Sequence, residues 1–164
     1  MILVDTNILG TLARVERLEL LLDLFGQDEI GVCQAVYAEL LAGTREGREF
    51  LQPAVNLVEE GRIKLVALTA DEILGRQKLP SSLDSGEAES ITVCQTRGAA
   101  LLTNDRRARN FCLDEGIEVF DLIDMLRALW KLRVCSKQEV SQLVSDIERR
   151  EGMVIKHQER ILAR

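Results

Sequence analysis

Apolar residues recur along this chain in two rhythms. Short continuous runs alternate with stretches in which Leu, Ile, Val and Ala return every three or four positions, the marks of buried strands and of core-facing helices. The first run, Ile2–Val4, breaks directly into Asp5, Thr6 and Asn7, so it predicts a buried strand that ends in polar groups. Residues 8–24 show helical spacing through Leu9, Leu12, Leu18, Leu21 and Leu24, with a break around 15–18, and Gly26 closes the stretch. A second strand is expected over 29–33, followed by a helix over 34–41 that contains Glu39 and stops at Gly43. Residues 45–61 read as helical with an interruption at Pro53, which lacks a backbone donor.

Residues 62–68 begin by alternating apolar and polar positions, as a third strand does, and Thr69 with Glu72 forms a capping box for a helix to about Lys78. A loop over 79–83 leads into a helix over 84–95 that has acids in its first turn and is ended by Gly98. Residues 99–103 form the next buried strand, and Asn104 and Asp105 turn into a helix over 106–115. After Gly116 a short strand over 117–120 precedes an amphipathic helix over 121–132 that buries Leu122, Met125, Leu126 and Leu129. Ser136 and Glu139 form another capping box, opening a helix to about Arg150 that Gly152 stops, before a short helical tail to Arg164. This alternation predicts the α/β class, a three-layer α/β/α arrangement with a mostly parallel central sheet covered on both faces, plus a helical C-terminal extension.

The 164 residues suit one domain with room for a core, and 46% hydrophobic with 29% charged residues is a soluble globular balance. No apolar run is long enough to span a bilayer, and the N-terminus lacks the basic start and long apolar stretch of a secretion signal; a cytoplasmic protein with no membrane partner is expected. Cys33, Cys94, Cys112 and Cys135 are scattered, with no CxxC and no nearby His, which argues against a zinc site or a disulfide framework. The net charge of -6 conceals an asymmetry: residues 1–124 hold 12 Lys+Arg against 22 Asp+Glu, and residues 125–164 hold 9 against 5. An acidic front speaks against simple non-specific nucleic-acid binding and is compatible with a carboxylate site that recruits divalent cations.

Four places concentrate that acid: Asp5 after the first strand, Glu39 in a helix, Asp84 with Glu87 at a helix start, and Asp105 after the 99–103 strand. Ligands in open α/β sheets sit outside the carboxyl ends of the strands, which is where Asp5 and Asp105 fall. Two unit charges about 4 Å apart repel by roughly 4 kcal/mol at an effective dielectric of 20, so clustered carboxylates call for a cation such as Mg2+ or Mn2+. Each acid also has a purely structural alternative. Asp5 and Asp105 can cap the helices that follow them, Asp84 and Glu87 have capping-box spacing, and Glu39 can be an exposed helix residue. Glu89 points to a different helix face from Glu87 and reads as structural, as do the first-turn acids Asp121 and Asp124.

The set V-D-T-N at Val4 to Asn7, Y-A-E-L at Tyr37 to Leu40, L-D-S-G-E-A-E-S-I at Leu83 to Ile91 and L-L-T-N-D at Leu101 to Asp105 resembles the PIN-domain family, especially its prokaryotic toxin members called VapC. The resemblance covers residues 1–124 in order and spacing, and the division expected from it is a PIN-like nuclease domain over residues 1–124 with residues 125–164 as a helical extension packed on it. It implies a metal-dependent endoribonuclease with catalytic Asp5, Glu39, Glu87 and Asp105. Mg2+ or Mn2+ would be held by Asp5, Glu87 and Asp105, with Asp84 as a second ligand or substitute. The commonest toxin pattern has Asp at the third position, where this chain has Glu87. Asn7 and Thr103 match polar positions beside the acids and would orient ligands or water. Arg106 and Arg107 are candidates for phosphate contact, with solvent-facing helix charges as the alternative. RNA is the implied substrate, and an antitoxin protein and a homodimer are the implied protein partners.

No competing nucleophile system is present, since the single histidine, His157, lies in the tail. Asp5-Thr6-Asn7 supplies neither the acidic pair of a receiver domain nor the D-x-D of a phosphatase, and no G-x-G-x-x-G follows the first strand. The alternative to an enzyme is a catalytically inactive PIN-like scaffold that binds RNA or protein.

Overall fold

Val4 and Leu3 point to opposite faces of one strand, and both are fully buried, so the first strand must be covered on both sides. In the computed structural model, which describes residues 1–26 and 29–163, β1 (Ile2–Val4) is the central strand of a five-stranded sheet. It pairs in parallel with β2 (Ile30–Cys33) on one side and β4 (Ala100–Leu102) on the other, with Leu3 opposite Gly31 and Leu101. β3 (Lys64–Val66) lies outside β2 and β5 (Val119–Phe120) outside β4, both parallel as well. The sheet is therefore wholly parallel, with order β3-β2-β1-β4-β5.

The period-two alternation of the strands sorts the core into two parts. Leu3, Cys33 and Leu101 join a cluster with Ile91 and Cys94 of α6 (Ser85–Arg97) and Ala108 and Cys112 of α7 (Arg106–Asp114). Val4, Val32 and Leu102 join a larger cluster with α1 (Thr6–Arg14), α2 (Glu19–Phe25), α3 (Gln34–Arg45), α4 (Gln52–Glu59) and α8 (Leu122–Lys131). Helices on both faces of a parallel sheet give the expected three-layer α/β/α fold. The C-terminal segment belongs to the same core: Val140, Leu143, Val144 and Ile147 of α9 (Lys137–Glu151) and Ile161 of α10 (Gln158–Leu162) are buried in the larger cluster.

Several boundaries differ from the sequence expectation, each for a local reason. The 8–24 helix is two helices; Asp5 starts the first at Thr6, and Glu16 with φ 57 turns the chain before the second. Gly43 does not stop α3, which runs to Arg45; its φ is not positive as a helix stop requires, and its missing Cβ instead admits Leu51, whose Cδ1 lies 2.5 Å from where that Cβ would be. Pro53 sits in the first turn of α4, after a short 3-10 helix (Glu49–Leu51), where a missing N–H interrupts nothing. The capping boxes at Thr69/Glu72, Asp84/Glu87 and Ser136/Glu139 all form, and Asp121 with Asp124 makes another. The strands over 62–68 and 117–120 shorten to the residues that pair, and the helical tail ends at Leu162, with Arg164 outside the described residues. All four cysteines are free, and burial pushes the Cys33 and Cys94 thiols up to about 11 and about 12, well away from reactive thiolates. Among the described residues no helix is long and apolar enough to cross a membrane.

α5 (Ala70–Arg76) is locked to α6 through a buried acid. Glu72 accepts from Arg97 Nε at 2.8 Å and Nη2 at 2.7 Å, from the Thr96 hydroxyl at 2.6 Å and from the Thr69 amide at 2.7 Å. The Arg97 hydrogen bonds, more than they are opposed by burial, hold its carboxyl far below the usual range. A depressed acid contributes stability that is present above its unfolded value and is lost as pH falls. Arg97→Ala should lower unfolding stability by about 2 kcal/mol at pH 7, less than for a fully buried pair because Arg97 is partly exposed. In urea titrations the difference from the parent should narrow as pH falls below 4.5, the ordinary Glu value.

Candidate active site

The strand order reverses beside β1: the chain leaves it toward β2 on one side and returns to it as β4 on the other. A crevice opens at such a switch, outside the carboxyl ends of the two strands. Asp5 follows β1 there, its amide donating to the Leu102 carbonyl at 3.2 Å. Its carboxylate is engaged at both oxygens. Oδ1 accepts from the Ile8 amide at 2.8 Å, capping α1, and Oδ2 accepts from the hydroxyl of Thr103, which is fully buried at the end of β4. Thr103 Oγ1 in turn accepts from the Asp105 amide at 3.0 Å, so one hydroxyl ties the two strand-end acids together.

α3 and α6 bring the other acids. Glu39, half-buried on α3, accepts from the Thr6 hydroxyl through Oε2. Its Oε1 lies over the first turn of α6, 3.1 Å from the point a Cβ of Gly86 would occupy, so that glycine is what lets the two helices meet here. Glu89 ties the same helices from the far side, accepting from the Ala35 amide at 2.9 Å and from Arg76 at 2.7 Å. This fulfils the structural reading of Glu89. Asp84 and Glu87 form a reciprocal box, Glu87 amide to Asp84 Oδ1 at 2.8 Å and Asp84 amide to Glu87 Oε2 at 2.9 Å. Asp84 is exposed and Glu87 buried.

Asp5, Asn7, Glu39, Asp84 and Glu87 line one cavity of about 270 Å³. Asp105 lines an adjoining cavity of about 350 Å³, which shares Thr6, Asn7 and Arg48 with the first and is walled on its far side by Glu151 and Met153 at the end of α9. Asp105 caps α7 through Oδ1, accepting from the Arg107 and Ala108 amides at 2.8 and 2.9 Å. Capping and lining thus coexist. The orphan amides of a helix start occupy one oxygen of Asp84 and of Asp105 and leave the other with no hydrogen bond among the described residues.

Burial dominates the electrostatics. It raises Asp5 to about 6 against the bonds from Thr103, Ile8 and Asn104, which favour the charged form. Burial also raises Glu39 and Glu87; the Thr6 bond opposes it at Glu39, the Asp84 amide opposes it at Glu87, and the neighbouring charge of Asp84 adds to both rises. Carboxylates crowded with their charges unmatched suit a hard divalent cation in donor chemistry, and Glu39, Asp84, Glu87 and Asp105 each keep one oxygen out of the hydrogen bonds described above. The side chains are not gathered to coordination distance: among the described residues no group of three or more His, Cys, Asp or Glu is placed to hold a metal ion. The four acids expected to converge are thus divided: Asp5, Glu39 and Glu87 line one cavity, with Asp84 beside them, and Asp105 lines the adjoining one.

Arg106 and Arg107 are exposed in the first turn of α7 and line neither cavity, although the charge of Arg107 reaches Glu87 and favours its ionised form. His157 is an exposed tail residue near Glu159. Two polar residues lining the first cavity escape a reading of the sequence: Thr6, which holds Glu39, and Arg48, which the turn after α3 folds back toward α1. Thr6 is hidden because a hydroxyl between two stronger site candidates looks like part of a helix cap; Arg48 carries no signal at all within a run of exposed charges.

A family model described as a PIN domain matches residues 1–162, so the match includes the C-terminal helices. No curated protein sequence matches the chain. Members of that family are generally nucleases. With the wholly parallel sheet, the strand-end acids and a match over nearly its whole length, the chain belongs to the PIN-domain family.

Proposed function

We propose that this protein is a Mg2+- or Mn2+-dependent endoribonuclease that hydrolyses RNA phosphodiester bonds. The observation that carries the reading is the cavity at the switch of strand order, where acids from the end of β1, from α3 and from the start of α6 share one wall. Asp5, Glu87 and Asp105 would hold the ion, with Asp84 as a further ligand or substitute, and Glu39 would help hold it or position water. Bound there, the ion supplies an activated water and neutralises charge on the scissile phosphate. The chain's own contribution is positioning. Thr103 fixes the Asp5 carboxylate, Thr6 fixes Glu39, and the capping box fixes Glu87 against Asp84. Asn7, exposed at the cavity rim, orients substrate or water. The finer reading is the toxin of a type II toxin–antitoxin pair acting in the cytoplasm, with an antitoxin protein as partner and a homodimer as its assembly. The resemblance of the V-D-T-N and L-L-T-N-D segments to VapC toxins supports it. Residues 125–164 serve as an extension that completes the core.

Two outcomes test this. In thermal melts Mn2+ should raise Tm, with a stabilisation of about 2.7 kcal/mol at a hundredfold excess over Kd, and the same ion should support cleavage of a labelled RNA. A protein that neither responds to the ion nor cuts any RNA offered would instead be an inactive scaffold.

Asp5→Asn separates stability from activity. Asp5 is an acid whose folded value lies above its unfolded one, so its ionisation costs the native state stability as pH rises from 3.8 through about 6. Asparagine keeps the acceptor for Ile8 without the charge but puts an NH2 donor opposite Thr103 Oγ1 in place of the acceptor, which offsets part of the gain. The variant should lose cleavage by at least about a hundredfold, yet in EDTA at pH 7 should unfold about 2 kcal/mol less readily than the parent. A variant that melts lower than the parent in EDTA would show that the Asp5 charge is not a burden on the fold.

A further inference from the structure

A polyanion entering a cavity walled by carboxylates needs positive charge from the protein as well as from any ion. Arg48 is the one Lys or Arg among the described residues that lines this cavity, and it lines the adjoining cavity too. Its position is fixed by the backbone. The Arg48 amide donates to the Gly43 carbonyl at 2.9 Å, and the Arg48 carbonyl accepts from the Leu51 amide at 3.0 Å. The side chain lies across Gly43, with Cζ and Nε each 3.3 Å from the point a Cβ would occupy there. Nη2 pairs with Glu46 at 2.8 Å, in a contact where both side chains are at least half exposed. Such an exposed pair is weak and exchanges readily, whereas a guanidinium binds a phosphodiester with two parallel hydrogen bonds.

Beyond Arg48, the second cavity offers Arg14, which lies over the Phe50 ring at 4.1 Å and pairs through Nε with Glu151 at 3.4 Å, leaving its other nitrogens to a ligand. Cations interleaved with an aromatic ring along a groove are what a single strand requires, and cavities of about 270 and 350 Å³ are each of the order of one nucleotide in size. We infer that Arg48 holds the phosphodiester next to the scissile one in single-stranded RNA and so leads the strand from the carboxylate cavity into the Arg14–Phe50 groove. This rests on the ribonuclease reading above. Arg48 is a substrate-positioning residue in it, and Glu46 is the group the phosphate displaces.

The test measures binding of a fluorescein-labelled single-stranded RNA by anisotropy, with Mg2+ present, in an Asp5→Asn background that removes cleavage. Adding Arg48→Ala should weaken binding about tenfold and reduce the slope of log K against log salt by about 0.7, the loss of one phosphate contact on a single strand. Arg48→Lys should keep the slope and recover part of the affinity. Glu46→Gln should tighten binding a few-fold by removing the competing carboxylate. Lys64→Ala, which removes an equal charge on the outer strand β3, should leave affinity and slope unchanged. Unchanged binding in Arg48→Ala, or an equal loss in Lys64→Ala, overturns the assignment of Arg48 alone; absence of RNA binding in the Asp5→Asn protein together with absence of both RNA binding and cleavage in the parent overturns the ribonuclease reading and this inference with it. Melting curves of Arg48→Ala and Arg48→Lys that match the background protein exclude misfolding as the cause of the change.

Discussion

Thr103 donates its hydroxyl to Asp5 across the boundary between β4 and β1, and the candidate site hangs from that bond. It can form only while the two strands hold one register, Leu3 opposite Leu101 and Val4 opposite Leu102. The register is in turn fixed by the core. Leu101 packs toward α6 and α7 and Leu102 toward the larger cluster, so a slip of one residue would exchange every side chain between two unlike helical layers. Hydrophobic sorting of neighbouring leucines thus determines where a buried carboxylate meets its hydroxyl.

Holding Asp5 in that place is unfavourable. Asp5 is 8% exposed, and burial outweighs the hydrogen bonds that favour its charge. Structural acids elsewhere in the chain behave in the opposite way: Glu72 meets a guanidinium with both oxygens and is driven far down. The contrast is between an acid matched by a guanidinium between α5 and α6, which serves the fold, and acids at the strand switch whose charge burial disfavours, the pattern on which the proposed function rests.

The helix starts around the cavity serve both ends. Asp5, Asp84 and Asp105 each satisfy orphan amides of the helix that follows, which fixes the acids at the rim without any dedicated scaffold. Gly86 and Glu89 then set how closely α3 approaches α6, and hence where Glu39 stands. The C-terminal helices complete the arrangement by packing α9 on α1, which brings Glu151 and Met153 to the wall of the second cavity.

Much of this was legible in the chain itself. Period two against period three to four marked the alternating strands and helices, the capping boxes marked helix starts, and the acids at strand ends marked the sheet edge where the two cavities lie. Those signals are local, so they survive without knowledge of the fold. Strand lengths, the break in the first helix and the role of Gly43 were not legible, because pairing partners decide the first and the close approach of Leu51 is what Gly43 serves. The tertiary structure alone decided that Asp105 faces a separate cavity from Glu87, that Thr6 holds Glu39, and that Arg48 comes back to line both cavities. Sequence order specifies which residues begin a helix or end a strand; which of them face one another depends on strand order and helix packing, and these arise from the burial of the whole core at once.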